Sequence, residues 1–276
     1  MQSKLYNRVA EGDYFYDHSE YISVTEKTFG VSHVHDNYEL IYFIKGAMLH
    51  TIEGRTYELK RGDIVLTPPS VMHTISALPE RVENYERHLA LINLKRLPEN
   101  IRKRIPKNKY VFSCEKNKRI EDLFLKLDDY FRHFEGDELF HIVYNIIEEV
   151  IFNLAIMDEE EENAVVNPLV ERAIAYISEN ISTIRDIEEI SNALYVTKSH
   201  LHHVFVREMK VTPGKYITSK RLLLAKKKIL KGARPTEIFD ECGFTDYATF
   251  FRNYKNYFGY SPSSEGKVQP RKEIPS

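Results

Sequence analysis

Gly243-Phe244-Thr245-Asp246-Tyr247-Ala248-Thr249-Phe250-Phe251-Arg252-Asn253-Tyr254-Lys255-Asn256-Tyr257-Phe258-Gly259-Tyr260-Ser261-Pro262 decides the fold of the carboxy-terminal half. Gly243 permits the backbone angle of a tight turn. Thr245 or Asp246 can cap the helix that follows, and Gly259 with Pro262 ends it. Phe250 and Tyr254 lie four apart, Phe251 and Tyr254 three apart, so an aromatic seam can face a small core. Tyr247, Arg252 and Lys255 are left nearer the outside. That mixture suits a DNA major groove, where side chains read base edges while cations hold phosphates. Standing alone, the same run is also an ordinary amphipathic helix.

The run has a counterpart upstream. Asp186 opens a helical pattern through Leu194, with acids in its first turn. Tyr195-Val196 breaks it, and Thr197 caps a second helix reaching Arg207. Leu201, Val204 and Phe205 face inward at i, i+3 and i+4, leaving Ser199, His202, His203 and Arg207 outside. Helix, short turn and polar second helix form the helix-turn-helix pattern. Between the two units, Thr212 caps, Pro213 takes the first helical position and Gly232 terminates a rod of about 18 residues, roughly 27 Å long. Such a rod can hold two reading helices about one DNA turn (~34 Å) apart. Its lysines are expected to be solvated, with a few near phosphate.

At this point the chain resembles the AraC/XylS family of transcription regulators. The matching pieces are Ile187 to Phe205, Arg221-Leu222 with Ala225, and Cys242-Gly243-Phe244 through Gly259-Tyr260-Ser261-Pro262. The resemblance implies a seven-helix domain reading successive major grooves, over residues 168–265. Several positions depart from the family pattern. Ser191 and Phe239 stand where a small alanine is usual, and Lys210 where glycine is. His203 and Val206 replace common basic residues, and Ser264-Glu265-Gly266 lacks the usual closing arginine.

Charge is unevenly placed. Residues 166–276 hold 18 Lys and Arg against 12 Asp and Glu, whereas residues 1–165 hold 21 against 29. A basic carboxy-terminal half fits a polyanion partner, and an acidic amino-terminal half should stay off DNA. Two cysteines, Cys114 and Cys242, argue against a disulfide framework. No charged-then-apolar leader opens the sequence, and no apolar run reaches the ~18 residues of a membrane span. The expectation is a cytoplasmic protein that makes no membrane contact. The run Asp158-Glu159-Glu160-Glu161-Glu162-Asn163 repels itself and reads as the core of a linker over 158–167. Residues 266–276 lack periodicity and read as a flexible tail.

Residues 1–157 are expected to form a cupin-like effector-binding and dimerisation domain, mainly β and then helical. From Tyr21 to about Leu94 the pattern is short strands: Glu39 to Ile44, a hairpin of Met48–Ile52 with 55–59 about Glu53-Gly54, then Asp63–Thr67 ended by Pro68-Pro69. Evenly spaced short strands suggest a barrel or jelly roll. His33-Val34-His35 with Glu39 and Gly46, followed by Gly62, Pro68 and His73, resembles the two cupin motifs, whose imidazoles and carboxylate converge inside the barrel. Ser70 and Ala77 depart from the second motif. Three readings stay open for His33, His35, Glu39 and His73: a metal site, since imidazoles with a carboxylate suit Fe, Mn, Ni or Zn; a polar lining for an effector; and structural histidines. The effector and structural readings lead, so no cofactor is expected. Tyr42, Tyr14 and Tyr16 are candidate pocket aromatics, and a sugar is one ligand they would suit. From about 117 to 157, Ile120, Leu123, Phe124, Leu127 and Phe131 form one helical stripe. Leu139, Ile142, Val143, Ile146, Ile147, Val150 and Leu154 form another, with a break at Phe134-Glu135-Gly136-Asp137. One stripe can cover the barrel while part of the other pairs with a second copy.

These features point to a sequence-specific DNA-binding regulator, not an enzyme, with double-stranded DNA and a small effector as partners. It is expected to be a homodimer, and RNA polymerase is a candidate further partner. The alternatives are a metal-dependent cupin enzyme carrying a DNA-binding tail, and an effector-blind regulator whose barrel only dimerises. No nucleophile constellation or phosphate-binding glycine loop is apparent.

Overall fold

The computed structural model describes residues 2–11, 14–25, 28–30, 32–93, 97–106, 109–115, 117–157 and 164–265. The acidic run at 158–163 and the tail at 266–276 lie outside the described residues. The chain divides near Val165 into two compact units.

In the first unit, β1 (Ser3–Glu11), β2 (Tyr14–Val24), β3 (Tyr38–Lys45), β4 (Met48–Ile52), β5 (Arg55–Glu58), β6 (Asp63–Thr67), β7 (His73–Ala77), β8 (Glu83–Ile92) and β9 (Val111–Ser113) form two sheets. The larger runs β1-β2-β8-β3-β6-β9, and the smaller places β4 between β5 and β7. The hairpin and the 63–67 strand stand where the β-formers put them. The sheet begins earlier than expected, because β1 and β2 pair antiparallel and β2 joins β8. Neither strand alternates cleanly: β2 is covered on both faces, and β1 is exposed along most of its length.

Alternation along β3 sorts its side chains onto two faces. Ile41 and Phe43 enter the barrel core with Met48, Ile52, Tyr57, Val65, Ala77 and Leu89. Leu40 and Tyr42 turn the other way, into a second core with Ile64, Leu66 and Ala90. That outer face is covered by α2 (Lys118–Tyr130) and α3 (Gly136–Leu154), which follow the four-residue α1 (Glu99–Arg102). Ile120, Leu123, Phe124 and Leu127 from α2 and Val143, Ile147, Val150 and Leu154 from α3 all enter the same core. Both stripes are therefore consumed within the chain, including the one expected to pair partly with a second copy.

After the two-residue β10 (Val165–Val166), the second unit comprises α4 (Pro168–Glu179), α5 (Ile187–Ala193), α6 (Lys198–Met209), α7 (Pro213–Leu230), α8 (Pro235–Ile238), α9 (Tyr247–Phe258) and a 3-10 turn at Pro262–Ser264. Caps set the starts: Asn167 accepts from Leu169 N at 3.0 Å, and Thr212 from Lys215 N at 3.3 Å. α7 has the expected 18 residues. Tyr216 near its start meets Phe205 of α6 edge-on, with ring centroids 5.5 Å apart. Leu222 and Ala225 further along enter a separate core with Ile238, Cys242, Phe250 and Tyr254. The rod thus joins two small cores, one under each helix pair. Its lysines are less solvated than expected: Lys226 donates to Tyr260 at 3.0 Å and Lys228 pairs with Glu241. Among the described residues no helix is long and apolar enough to cross a membrane.

Candidate nucleic-acid interface and barrel site

The two polar helices are positioned by the same local device. Asp186 starts α5 by accepting from Glu189 N at 3.0 Å, and Thr197 starts α6 by accepting from His200 N at 3.2 Å. Between them Tyr195 turns the chain with a left-handed φ of 58°. With Leu201, Val204 and Phe205 buried, Ser199, His202, His203 and Arg207 of α6 are exposed. Arg207 is already paired, its Nε and Nη2 donating to Glu208 at 2.8 and 2.6 Å. It reaches a phosphate or a base only by leaving Glu208.

In the second pair Asp246 makes the cap, accepting from Thr249 N at 2.7 Å. That backbone N–H holds the Asp246 carboxyl below its ordinary range. Arg252 and Lys255 are exposed on α9, with Arg252 Nη2 donating to Thr249 Oγ1 at 3.1 Å. Tyr247 departs from expectation. It is half-buried and meets Phe239 edge-on, centroids 5.9 Å apart at 74°, so it supports the helix more than it projects from it. The sequence reading missed Lys198 and His200 on α6 and Ala248 and Asn256 on α9, all exposed. The caps were the available signal for Lys198, His200 and Ala248, which lie in the first turn of their helices, but not for Asn256 in the last turn of α9.

Arg221 of α7 ties the unit together. Its Nε donates to Ile181 O at 2.8 Å, and its Nη2 donates to Ile184 O. The guanidinium lies so close to Gly243 that a Cβ there would fall 2.6 Å from Arg221 Nε.

In the barrel, the two motif segments are zipped by backbone bonds. His33 and His73 exchange N–H···O bonds at 3.0 and 3.1 Å, and Ser70 N donates to His35 O at 2.9 Å. Ser70 has φ 65°, adopting the angle for which the motif uses glycine. Glu39 is buried on the Ile41 face of β3, and His73 opens β7. His35 Nε2 and His73 Nε2 lie 3.3 and 3.4 Å from the two Glu39 oxygens. Burial alone would raise the Glu39 carboxyl, but His73 and His35 outweigh it and hold it well below the carboxylate range. One donor atom from each of His33, His35, Glu39 and His73 lies within 4.8 Å of the others. Tyr42 does not join them. It projects from the opposite face of β3 and stacks on Phe124, centroids 4.2 Å apart. Tyr14 and Tyr16 lie on that side as well, in the core under α2 and α3.

A second polar cluster sits there. His18 of β2 is held between Asp128 of α2, 2.9 Å from Nδ1, and Glu86 of β8, 3.0 Å from Nε2. Both partners are carboxylates, so the ring carries two protons. Burial opposes that charge, but Asp128 and Glu86 prevail and raise its pKa. His88 stacks on His18 with centroids 4.0 Å apart. Burial and the neighbouring charge push it well below the usual range.

Two family descriptions match this chain in tandem. An AraC-like ligand binding domain spans residues 19–128, and a helix-turn-helix domain spans 190–266. The chain belongs to the AraC family of transcription regulators. Its similarity to YbfI of Bacillus subtilis, an uncharacterized HTH-type transcriptional regulator, is 23% identity over 230 residues, covering 78% of this chain and 79% of YbfI. The Msm operon regulatory protein of Streptococcus mutans is 24% identical over 237 residues, 83% of this chain and 84% of that one. RafR, the raffinose operon transcriptional regulatory protein of Pediococcus pentosaceus, is 32% identical over 92 residues, a third of each chain.

The structure accounts for several departures of this AraC-family chain. Ser191 is buried, with its hydroxyl donated to Glu188 O at 2.9 Å. Lys210 ends α6 with φ 55°, a glycine's angle on a lysine. In place of a closing arginine, Glu265 accepts from Tyr254 and from Tyr260 (2.9 Å) and faces Lys226 at 3.7 Å. Phe239 follows the last turn of α8 and packs on Tyr247. Nothing in the structure explains Val206.

Proposed function

We propose that this AraC-family regulator reads two successive major-groove segments with α6 and α9, and that a small polar effector in the barrel controls how two copies sit on DNA. Residues 1–157 are the effector-binding and dimerisation domain, 158–167 the linker and 168–265 the DNA-binding domain of a cytoplasmic homodimer that is not an enzyme. RNA polymerase is a candidate further contact. The supporting observation is the repeated capped helix pair: α6 and α9 each follow a short turn and each carry exposed polar and basic side chains beyond a buried apolar seam. Ser199, His202, His203, Arg252 and Lys255 are the contacts assigned to DNA. Tyr247 and Arg207 contribute only by changing their present packing or pairing.

The effector reading rests on the buried Glu39 and His73 at the barrel mouth with His33 and His35 at their side. RafR is named for a raffinose operon, which makes a carbohydrate the first ligand class to try. Selection of bound duplexes from a random pool, with and without candidate sugars, tests both halves. Two half-sites about 10 bp apart are expected. A pool that never enriches a motif would overturn the DNA reading. A motif and affinity indifferent to every sugar would remove carbohydrate as the effector.

A further inference from the structure

We propose that α6 is the proton-sensitive member of the two reading helices: its imidazoles bind DNA more tightly as they take up protons, whereas α9 holds DNA with permanent cations. The inference rests on the assignment of α6 and α9 to DNA made above.

The sequence has 11 histidines, and residues 158–276 hold three of them, His200, His202 and His203. All three lie on α6, and all three are exposed. Helical spacing groups them with the other exposed side chains of that helix. His200, His203 and Arg207 stand at i, i+3 and i+7, and Ser199 stands three before His202 and four before His203. They share the surface left over once Leu201, Val204, Phe205 and Met209 are buried. The permanent cations of α6 are Lys198 and Arg207, and Arg207 Nη2 is held by Glu208 at 2.6 Å. α9 is built the other way. Its 12 residues include Arg252 and Lys255, both exposed, and no histidine.

Packing leaves the three rings open to a ligand. α4, α5 and α7 lie against α6. Their carboxylates are Glu171 and Glu179 of α4 and Glu188 and Glu189 of α5, of which Glu189 is engaged by the Tyr176 hydroxyl at 3.3 Å and Arg185 N at 3.1 Å. Their cations are Arg172 of α4 and Lys215, Lys220 and Arg221 in the first half of α7. On α6 itself Glu208 accepts from Arg207 and, at 3.3 Å, from Asn167 Nδ2. Among the described residues none of these groups, and neither Tyr176 nor Tyr216, makes a hydrogen bond or ion pair with the three imidazoles.

Histidine is the side chain whose charge ordinarily changes between pH 5 and 8. A neutral ring offers one N–H and one acceptor, and a protonated ring offers two N–H donors. Phosphate oxygens are anionic and only accept. Proton and duplex therefore favour each other's binding, and the coupling is reciprocal. The complex holds more protons than the free chain, so affinity rises as pH falls. Each ring that turns cationic against a phosphate also releases a counterion, which steepens the log–log salt slope by about 0.9. Arginine and lysine ordinarily stay charged across this range, so α9 supplies affinity without pH dependence.

The test is fluorescence anisotropy of the full chain on its selected duplex at pH 6, 7 and 8, each over a salt series. Circular dichroism at each pH checks that the chain is folded. Parent affinity should rise ~10-fold or more from pH 8 to pH 6, with a salt slope steeper by about 1–2 at pH 6. The triple variant His200→Gln, His202→Gln, His203→Gln keeps hydrogen-bonding side chains at three exposed positions and should lose most of that rise. His203→Lys makes one charge permanent and should flatten the profile by tightening binding at pH 8. Histidines of the other unit are common to parent and variants, so their titration cancels in the comparison. Parallel pH profiles for the parent and the triple variant overturn the inference, whatever the absolute affinities. In that case a motif still bound in preference to a scrambled duplex leaves the DNA-binding reading standing. A chain that prefers no duplex at any pH overturns both.

Discussion

Lys210 and Gly243 take left-handed backbone angles, φ 55° and 86°, at two helix boundaries, and opposite outcomes are expected when each is changed. Lys210 is exposed, so Lys210→Gly removes the crowding of a Cβ in that conformation without removing packing. Stability should rise by up to about 1 kcal/mol, seen as a higher urea midpoint for the carboxy-terminal transition. Gly243→Ala adds a Cβ where the Arg221 guanidinium lies 2.6–2.9 Å away. It strains the backbone and displaces the group that satisfies the Ile181 and Ile184 carbonyls. A loss on the order of 3 kcal/mol is expected in the same measurement. The stacked histidines of the other unit respond to pH with opposite signs. His18 has a raised folded pKa, so its stabilisation is complete below the usual 6.5 and is lost as pH rises through the folded value. His88 has a depressed one, so its contribution is present above 6.5 and is lost as pH falls. The charged and titratable groups around the pair include Asp128, Glu86, Arg87, Tyr6, Tyr16 and Tyr42, with Lys45 paired to Glu86. Melting midpoints from pH 5.5 to 8.5 should show His18→Gln flattening the alkaline decline and His88→Phe the acid one. Parallel profiles for both variants would remove the pair as the origin of either slope.

Among the elements, α2 separates covering from assembly. Leu127 is 0% exposed in the core shared by α2, α3 and the sheet, whereas Leu125 on the same helix is 61% exposed. Leu127→Ala should cost about 2–5 kcal/mol through the cavity it leaves. Leu125→Asp should leave stability of the chain within about 0.5 kcal/mol. If the dimer uses this outward face, Leu125→Asp also lowers the sedimentation coefficient, and an unchanged coefficient places the dimer contact elsewhere. The same helix shows why some of the fold was legible in the sequence. Its spacing of apolar residues at three and four is a local property, and so are the caps at Asp186, Thr197 and Thr212 and the hairpin about Glu53-Gly54. What a stripe packs against is not local, so covering and dimerising could not be told apart from α2 and α3 alone. β1 and β2 were missed for related reasons: β2 is buried on both faces and β1 is exposed along most of its length, so neither has an alternating signature. For the site, the His33–His35–Glu39–His73 grouping was legible because two segments carry recognisable spacing. Tyr42 was misassigned because the choice of face turns on a single residue of register: Glu39 lies inside, so Leu40 and Tyr42 lie outside. Tyr247 was misjudged because its neighbour Phe239 comes from the end of α8, the first helix of the same pair.

For the whole molecule, charge separation between the halves is the property that acts furthest from any one contact. The basic excess lies entirely in the sequence after 165, and the earlier residues carry an acidic excess. An approaching duplex is thus attracted to one half and repelled by the other, which orients the encounter before any base is read. Part of the positive charge is spent internally: Arg221 on backbone carbonyls, Lys228 on Glu241, Lys226 on Glu265 and Arg207 on Glu208. The phosphate count should therefore be well below the 18 Lys and Arg of that half. Arg252 distinguishes the two ways a cation can contribute, because it is exposed and donates to the neutral Thr249 hydroxyl. If Arg252 reads a base, Arg252→Ala should cost about 1–3 kcal/mol on the selected site, leave the salt slope unchanged and relax preference at one position. If it holds phosphate, affinity should fall nearly equally on all duplexes and the log–log salt slope should shrink by about 1. Fluorescence anisotropy from 50 to 300 mM salt, on the selected duplex and a scrambled one, separates these outcomes. No change in either affinity or slope would remove Arg252 from the interface and turn the reading face of α9 towards Ala248 and Asn256.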